Sequence, residues 1–342
     1  MDYPELKLRP RQQVAIDKLI GVVKRGYKRI VFTLPTGGGK TIIAVRLCEM
    51  ALDKFRRVLI VTNRRILVDQ MAARSEHYGV DHGIIMAGFP GHSAKSIQIA
   101  SLQTLFARYM HDKTGKPNGR ELPEADVVII DEAHAEVERY KELMTYYQHA
   151  VIIGLTATPI NSEGLALVPP YQYMLEGCTN SELIGDGLLL KTKMFAPSEP
   201  DIAGVSITNG REYNQYALGR AVQECTVFAD VMKEWMPYFD RKTVCFVPGV
   251  AFGRDLERQF NQRFGEGFCH LVTAKTSQKD RERIFDAVGG GSSRMLISVD
   301  VLREGFDLPE ISCMIDLQPN NQFRSYWQKV GRIKRSFPGQ DY

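Results

Sequence analysis

Leu-Pro-Thr-Gly-Gly-Gly-Lys-Thr, residues 34–41, decides how the rest of the chain is read. It follows an apolar, β-branched run, Arg29-Ile-Val-Phe-Thr-Leu34, and opens an amphipathic helical pattern through Ile42, Val45, Leu47 and Met50. Strand, glycine-rich turn and helix, in that order, are the setting a phosphate-binding loop needs. Gly37, Gly38 and Gly39 carry no Cβ, so backbone N–H groups there can converge on an anion. The helix that follows adds the positive end of its dipole. Lys40 would reach the β- and γ-phosphates of a nucleoside triphosphate, the Thr41 hydroxyl would ligate Mg²⁺, and Pro35 and Thr36 complete the loop. Leu34 stands where this motif usually has its first glycine.

Outward from that loop, other strand ends deliver polar groups. Asp126-Val-Val-Ile-Ile-Asp131 is the clearest strand and ends in Asp131-Glu132-Ala133-His134, about ninety residues after the loop. A carboxylate after four apolar residues is costly to bury unless it meets a cation. Asp131 would hold Mg²⁺ through water, and Glu132 would polarise the water that attacks the γ-phosphate. A solitary Asp-Glu pair at a strand end most often reads as a helix N-cap, but one that ends a hydrophobic strand at this distance from a phosphate loop is a much stronger signal. Val151-Ile-Ile-Gly-Leu-Thr156 is a further buried strand, ending in Thr156-Ala-Thr158-Pro159. Its small hydroxyl residues could couple hydrolysis to a neighbouring surface.

Arg57-Val-Leu-Ile-Val-Thr62 ends at Asn63-Arg64-Arg65, and Ile97-Gln-Ile-Ala-Ser101 ends at Ser101-Leu-Gln103-Thr104. Polar and basic groups at strand ends of an open α/β sheet lie on its ligand-binding edge. Asn63, Arg64, Ser101, Gln103 and Thr104 are therefore candidates for nucleic-acid contact through phosphates. Ser101 could equally cap the helix that follows. Gln12, just ahead of a helical pattern from Val14 to Val23, has an amide able to donate to and accept from adenine. Residues 110–123 are polar and breaker-rich, which predicts a surface loop.

The 342 residues suit two domains. Hydrophobic content of 44% and charged content of 25% are those of a globular protein. No apolar run approaches the ~20 residues of a membrane span, and the N-terminus has no signal-peptide pattern. Six cysteines without a Cys-x-x-Cys pair argue against zinc or a disulfide framework, and a reducing, cytosol-like compartment fits. The net charge of +4 does not announce a nucleic-acid binder, and the basic clusters are weak support by themselves. The second half alternates strand candidates (193–196, 243–247, 270–273, 294–299, 312–317) with helical patterns at 225–236, 252–264, 278–288 and 325–330. That alternation predicts a second parallel α/β sheet. The predicted arrangement is residues 1–160 as an ATP-binding domain, 161–190 as a connector carrying Pro169-Pro170, and 191–342 as a second domain. Residues 201–219 would be a surface excursion.

Together these stretches resemble the motifs of superfamily 2 helicases with a DEAH box. In order they are Gln12, Pro-Thr-Gly-Gly-Gly-Lys-Thr, Thr-Asn-Arg-Arg, Ser-Leu-Gln-Thr, Asp-Glu-Ala-His and Leu-Thr-Ala-Thr-Pro. Val244-Cys-Phe-Val247, Ser298-Val-Asp-Val-Leu-Arg-Glu-Gly-Phe-Asp-Leu-Pro309 and Gln328-Lys-Val-Gly-Arg-Ile-Lys-Arg335 supply the later ones. Leu-Arg9-Pro-Arg-Gln12 and Glu-Gly305-Phe-Asp307-Leu-Pro are similar to the DNA-directed group around RadD, UvsW and XPB. The resemblance implies two tandem RecA-like domains with ATP between them. Arg9 and Gln12 would lie at the base, Gly305 and Asp307 would line the cleft, and Gln328, Arg332 and Arg335 would act on the γ-phosphate. His134, Thr156 and Thr158 would couple hydrolysis to movement.

The same likeness implies an ATP- and Mg²⁺-dependent helicase or translocase on DNA, in repair, recombination or fork remodelling, in the cytoplasm of a bacterial or phage-infected cell. An RNA helicase, a regulatory module with vestigial hydrolysis, and the motor of a restriction or defence assembly with protein partners are the rivals. The chain stops seven residues past Arg335, and the cysteine-rich C-terminal region of RadD-like proteins has no counterpart. The expectation is an unusually short protein or a trimmed core.

Overall fold

Runs of valine, isoleucine and leucine that are buried on both faces pair in parallel, and the strands Arg29–Thr33, Val58–Thr62, Ile97–Ser101 and Val127–Asp131 of the first sheet are each followed by a helix that returns the chain toward the same starting edge. The computed structural model describes residues 3–89, 94–110, 121–161, 164–194, 205–208, 212–213, 217, 228–299, 310–318, 326, 329–331 and 334. The chain divides into two compact units, Met1–Leu183 and Ile184–Tyr342.

In the first unit, seven strands form one sheet: β1 (Arg29–Thr33), β2 (Val58–Thr62), β3 (Gly83–Ile85), β4 (Ile97–Ser101), β5 (Val127–Asp131), β6 (Val151–Thr156) and β7 (Tyr173–Glu176). Their order is β3-β4-β2-β5-β6-β1-β7, and every neighbouring pair is parallel. The connecting helices are α1 (Pro10–Lys24), α2 (Lys40–Leu52), α3 (Arg65–His77), α4 (Leu102–Leu105), α5 (Val137–Tyr146) and α6 (Asn180–Gly185). A π-helical turn, Phe106–Met110, extends α4. Alternate strand residues divide between the two faces. Val31, Leu59, Val61, Val128 and Ile130 pack with Tyr140, Leu143 and Met144 of α5. Intervening residues such as Ile30, Phe32, Ile60 and Ile129 are also fully buried, so both faces are covered.

The second unit repeats the architecture with fewer strands. β8 (Ile207–Thr208) and β9 (Glu212–Tyr213) form a small antiparallel pair. Then come α7 (Phe228–Trp235), β10 (Thr243–Phe246), α8 (Val250–Phe264), β11 (Cys269–Val272), α9 (Gln278–Gly290), β12 (Met295–Ser298) and β13 (Cys313–Asp316). These strands form a parallel sheet in the order β11-β12-β10-β13. One face packs on Trp235, Phe252, Leu256 and Phe260, the other on Ile284 and Val288. Both sheets are therefore parallel α/β layers, as the alternation of patterns predicts.

Three expectations are corrected. Residues 191–194 carry no regular structure, so the strand expected from Lys193 does not form over its described part. The stretch read as a connector, 161–190, instead contributes β7 and α6. β7 pairs with β1 over Ile30↔Tyr173 to Thr33↔Glu176, and α6 is capped by Thr179, whose hydroxyl accepts from Glu182 N–H at 3.2 Å while Glu182 accepts from Thr179 N–H at 2.8 Å. Ser101 occupies the N-cap position of α4 but makes no capping bond. Its hydroxyl donates to Gln103 Oε1 at 2.9 Å. The surface loop expected at 110–123 lies mostly outside the described residues.

Candidate nucleotide and nucleic-acid site

The carboxyl ends of β1, β6 and β5 stand in register, and this edge gathers the candidate residues. Thr33 pairs with Thr156, and Leu155 pairs with Asp131. Two strand spacings separate the start of the glycine loop from the Asp131 turn, roughly 10 Å. The loop leaves β1 through Leu34, whose N–H donates to Thr156 C=O at 2.9 Å. Pro35, Thr36, Gly37, Lys40 and Thr41 are part-exposed on this edge, with Lys40 and Thr41 opening α2. Gly37 and Gly39 have φ of 89° and 87°, the left-handed region open to glycine. At Gly39 a Cβ would also fall 2.1 Å from Gln12 Nε2.

Leu34 departs from the usual glycine without disturbing the loop. Its side chain is buried, and the room it needs is left at Gly177, where a Cβ would come within 2.7 Å of Leu34 Cδ2. Gly177 and the buried Cys178 therefore wall the loop from the β7 side, a contribution that no sequence signal indicates. Gln12 is itself buried. Its Oε1 accepts from Arg9 N–H at 2.9 Å and its Nε2 donates to Gly38 C=O at 3.3 Å. The amide thus braces the loop, and each of its polar groups retains capacity for one further bond to a base.

Asp131 is 8% exposed at the end of β5, and its Oδ1 accepts from Glu132 N–H at 3.0 Å. Glu132 itself has φ of 50°, a left-handed conformation that costs a non-glycine residue about 1–2 kcal/mol. Strain of this kind persists where surrounding contacts over-determine it. Two of those contacts are visible. Ala133 N–H donates to Leu155 C=O at 3.0 Å, and the buried Tyr140 hydroxyl lies 3.4 Å from Asp131 C=O, its pKa pushed well above the usual phenol value by burial.

His134 is fully buried, with Nδ1 2.7 Å from Thr156 Oγ1 and 3.4 Å from Glu132 Oε2. Thr156 Oγ1 donates to Thr158 C=O at 2.8 Å and accepts from Thr158 N–H at 3.0 Å. A hydroxyl has one proton, and here Thr158 C=O takes it, so His134 Nδ1 must be the donor to Thr156. The Thr158 hydroxyl is buried without a hydrogen-bond partner. Glu132, His134, Thr156 and Thr158 form one connected polar chain between β5 and β6.

A divalent cation is tested by the donors present. The Thr41 hydroxyl and the Asp131 carboxylate are hard oxygen ligands suited to Mg²⁺. Among the described residues no group of three or more His, Cys, Asp or Glu could hold a metal alone. Phosphate oxygens and water would have to complete the coordination, which is how Mg²⁺ is usually held at nucleotide sites.

Farther along the same edge, Thr62 pairs with Ser101. Gln103 Nε2 donates to Asn63 C=O at 2.7 Å while its Oε1 accepts from Ser101, which ties the loops after β2 and β4 together. Arg64 and Gln103 are exposed, Asn63 is half-buried, and Ser101 and Thr104 are buried. For the buried pair, the side chains shape the edge and leave little surface for a ligand. Gly305, Asp307, Gln328, Arg332 and Arg335 lie outside the described residues. No helix among the described residues is long and apolar enough to cross a membrane.

Residues 5–161 match the family described as "Type III restriction enzyme, res subunit", and residues 227–336 match "Helicase conserved C-terminal domain". A 51.5 kDa protein of a Lactococcus phage is 25% identical over 303 residues, covering 88% of this chain and 61% of its own length. The IRC3 protein of Saccharomyces cerevisiae is 25% identical over 363 residues, covering 99% of this chain and 51% of its own. The DNA 3'-5' translocase XPB2 of Sulfurisphaera tokodaii is 23% identical, covering 90% and 75%. The chain thus spans about half to three-fifths of the length of the first two relatives. The solved structure of the Type ISP restriction-modification enzyme LlaBIII bound to DNA shares the fold, with a TM-score of 0.70 at 17% identity over all of this chain and 27% of that one. The two family matches follow each other in helicase order and span most of the molecule, and the relatives include XPB- and IRC3-type proteins: the chain belongs to the superfamily 2 helicases.

Proposed function

We propose that the chain is an ATP-driven motor that moves along nucleic acid, DNA in preference to RNA. The observation that carries this reading is the registered edge of β1, β6 and β5, which lines up the glycine loop, the Thr156 turn and Asp131-Glu132. In this reading Lys40 and the loop amides grip the triphosphate, and Gln12 with Arg9 meets the adenine. Thr41 and Asp131 hold Mg²⁺, which neutralises charge on the phosphates when bound. Glu132 takes the proton of the attacking water. Its strained backbone fixes where the carboxylate points, and Glu132 Oε2 stands 3.4 Å from His134 Nδ1. Residues Gln328, Arg332 and Arg335 of the second half, with Gly305 and Asp307, complete the site and stabilise charge at the γ-phosphate.

The polar chain from Glu132 through His134 to Thr156 and Thr158 gives hydrolysis a route to the adjoining loops. Asn63, Arg64 and Gln103 would then meet phosphates, making binding sequence-tolerant and salt-dependent. The DEAH-box assignment, the kinship with RadD and UvsW and a cytoplasmic location belong to this proposal, with the ATP-binding half taken to the end of the first compact unit at Leu183 rather than to residue 160. DNA is preferred because XPB2 is named a DNA translocase and the LlaBIII structure is a DNA complex. The match to a restriction subunit and the likeness to LlaBIII favour a second reading, the motor of a restriction or defence assembly working with protein partners.

The test is steady-state ATP hydrolysis with single-stranded, duplex and forked DNA and with RNA at matched nucleotide concentration. DNA should stimulate turnover and RNA should not. A rate indifferent to every nucleic acid would refute the motor reading.

A further inference from the structure

Lysine is rarely buried without a specific partner, yet Lys329 is 1% exposed and ranks among the largest fully buried side chains of the described residues. Its Nζ lies 2.8 and 3.1 Å from the two carboxylate oxygens of Asp316, at the carboxyl end of β13. The same ammonium sits 4.8 Å from the centre of the Phe246 ring, at the end of β10. β10 and β13 are neighbours, with Phe246 paired to Asp316, so the cation is held against the ends of two adjacent strands. Asp316 Oδ1 also accepts from Gln318 N–H at 3.2 Å, which fixes the carboxylate from its own strand.

Lys329 lies within the Gln328–Arg335 segment, and Lys329–Gly331 are helical. A second bond reaches that segment near its other end: Leu190 N–H donates to Lys334 C=O at 2.7 Å. We propose that Lys329 is a positioning residue for hydrolysis: its ion pair with Asp316 fastens residues 329–331 to the end of the sheet, the Leu190 bond ties Lys334 to the chain before the second sheet, and the action of Arg332 and Arg335 of the same segment depends on this fastening. This rests on the reading that those arginines act on the γ-phosphate. A buried cation over a ring, paired to both oxygens of one carboxylate, is directional in a way that an apolar contact is not.

The experiment compares the wild-type chain with Lys329→Met and with Lys329→Met/Asp316→Asn, the latter keeping the acceptor for Gln318 N–H. Replacing both charges removes the penalty of a lone buried ion, so the double variant should regain the unfolding temperature that the single variant loses. Its ATP affinity, measured by equilibrium binding, should stay near wild type. Its DNA-stimulated kcat should remain depressed roughly 10- to 100-fold, the scale of a small misplacement of a catalytic group. A double variant whose kcat returns together with its stability would make the pair merely structural and overturn the proposal. A wild-type chain with no ATPase would instead refute the motor reading, and this assignment with it. Amine acylation of the folded wild-type chain needs no variant: Lys329 should react far more slowly than the exposed Lys275 and Lys279, and equal labelling would overturn the fastening.

Discussion

Thr156→Val tests the buried polar chain beneath the nucleotide edge. The substitution keeps the side-chain shape and removes one hydroxyl. Thr156 is fully buried and its Oγ1 makes three contacts, to His134 Nδ1 at 2.7 Å, Thr158 C=O at 2.8 Å and Thr158 N–H at 3.0 Å. Each hydrogen bond contributes about 0.5–1.5 kcal/mol net, and a buried group left unpaired costs about 1–3 kcal/mol. The three share one atom, so their losses do not add fully. His134 can also turn toward Glu132 Oε2, already 3.4 Å away. A loss of about 2–4 kcal/mol follows, read as a lower urea midpoint with unchanged slope. Stimulation of ATPase by DNA should fall more than the unstimulated rate, because the loops after β6 lose their link to Glu132. A midpoint within about 0.5 kcal/mol of wild type, the scatter of ordinary surface changes, would show that the hydroxyl is not holding the network described. Intact stimulation in folded protein would detach it from coupling.

Glu132→Gln should leave ATP binding intact and cut turnover about 10²–10⁴-fold, the usual contribution of a general base; single-turnover hydrolysis checks it, and a near-normal rate removes Glu132 from the chemistry. Gly39→Ala places a methyl 2.1 Å from Gln12 Nε2 at a φ of 87°, so both the loop and its brace must shift. ATP affinity should fall sharply in equilibrium binding, and wild-type affinity would mean that the loop tolerates a different course. Asp126 receives the Arg57 N–H at 2.9 Å and the Arg56 guanidinium at 2.8 Å, and these hold its pKa below the usual carboxylate value. A depressed carboxylate stabilises the fold above its unfolded-state pKa, and that contribution is lost as pH falls through the folded value. Urea midpoints measured downward from neutral pH should therefore decline less steeply in Asp126→Asn than in wild type. Parallel curves would contradict this.

The strands with continuous apolar character, β1, β2, β4, β5 and β6, were legible because burial on both faces leaves an unmistakable run of Val, Ile and Leu. β3 escaped notice since Gly83-Ile-Ile85 is too short to carry a period. β7 was hidden for another reason: Tyr173-Met-Leu-Glu176 is an edge strand, with Met174 half exposed and only Leu175 buried. Its composition matches the turn-rich residues around it. At Lys193 a short alternation predicts a strand, and its described residues, Lys193 and Met194, carry no regular structure. Among candidate site residues, spacing announced the glycine loop and Asp131-Glu132. It could not announce that Gln12 braces Gly38, that Gly177 makes room for Leu34, or that Lys329 meets Asp316. Those are contacts between residues distant in sequence or on separate elements, and no local pattern encodes them.

The position of β7 bears on how the nucleotide-binding half can be handled in isolation. A fragment ending near residue 161, where the first family match stops, would strip β1 of a neighbour along one whole side. The backbone groups of Ile30 to Thr33 would then face water as an open template for strand addition, the situation that drives edge-to-edge aggregation. It would also discard Gly177 and Cys178 from beside the loop. A soluble, ATP-competent fragment should need to run at least through Leu183, where the first compact unit ends.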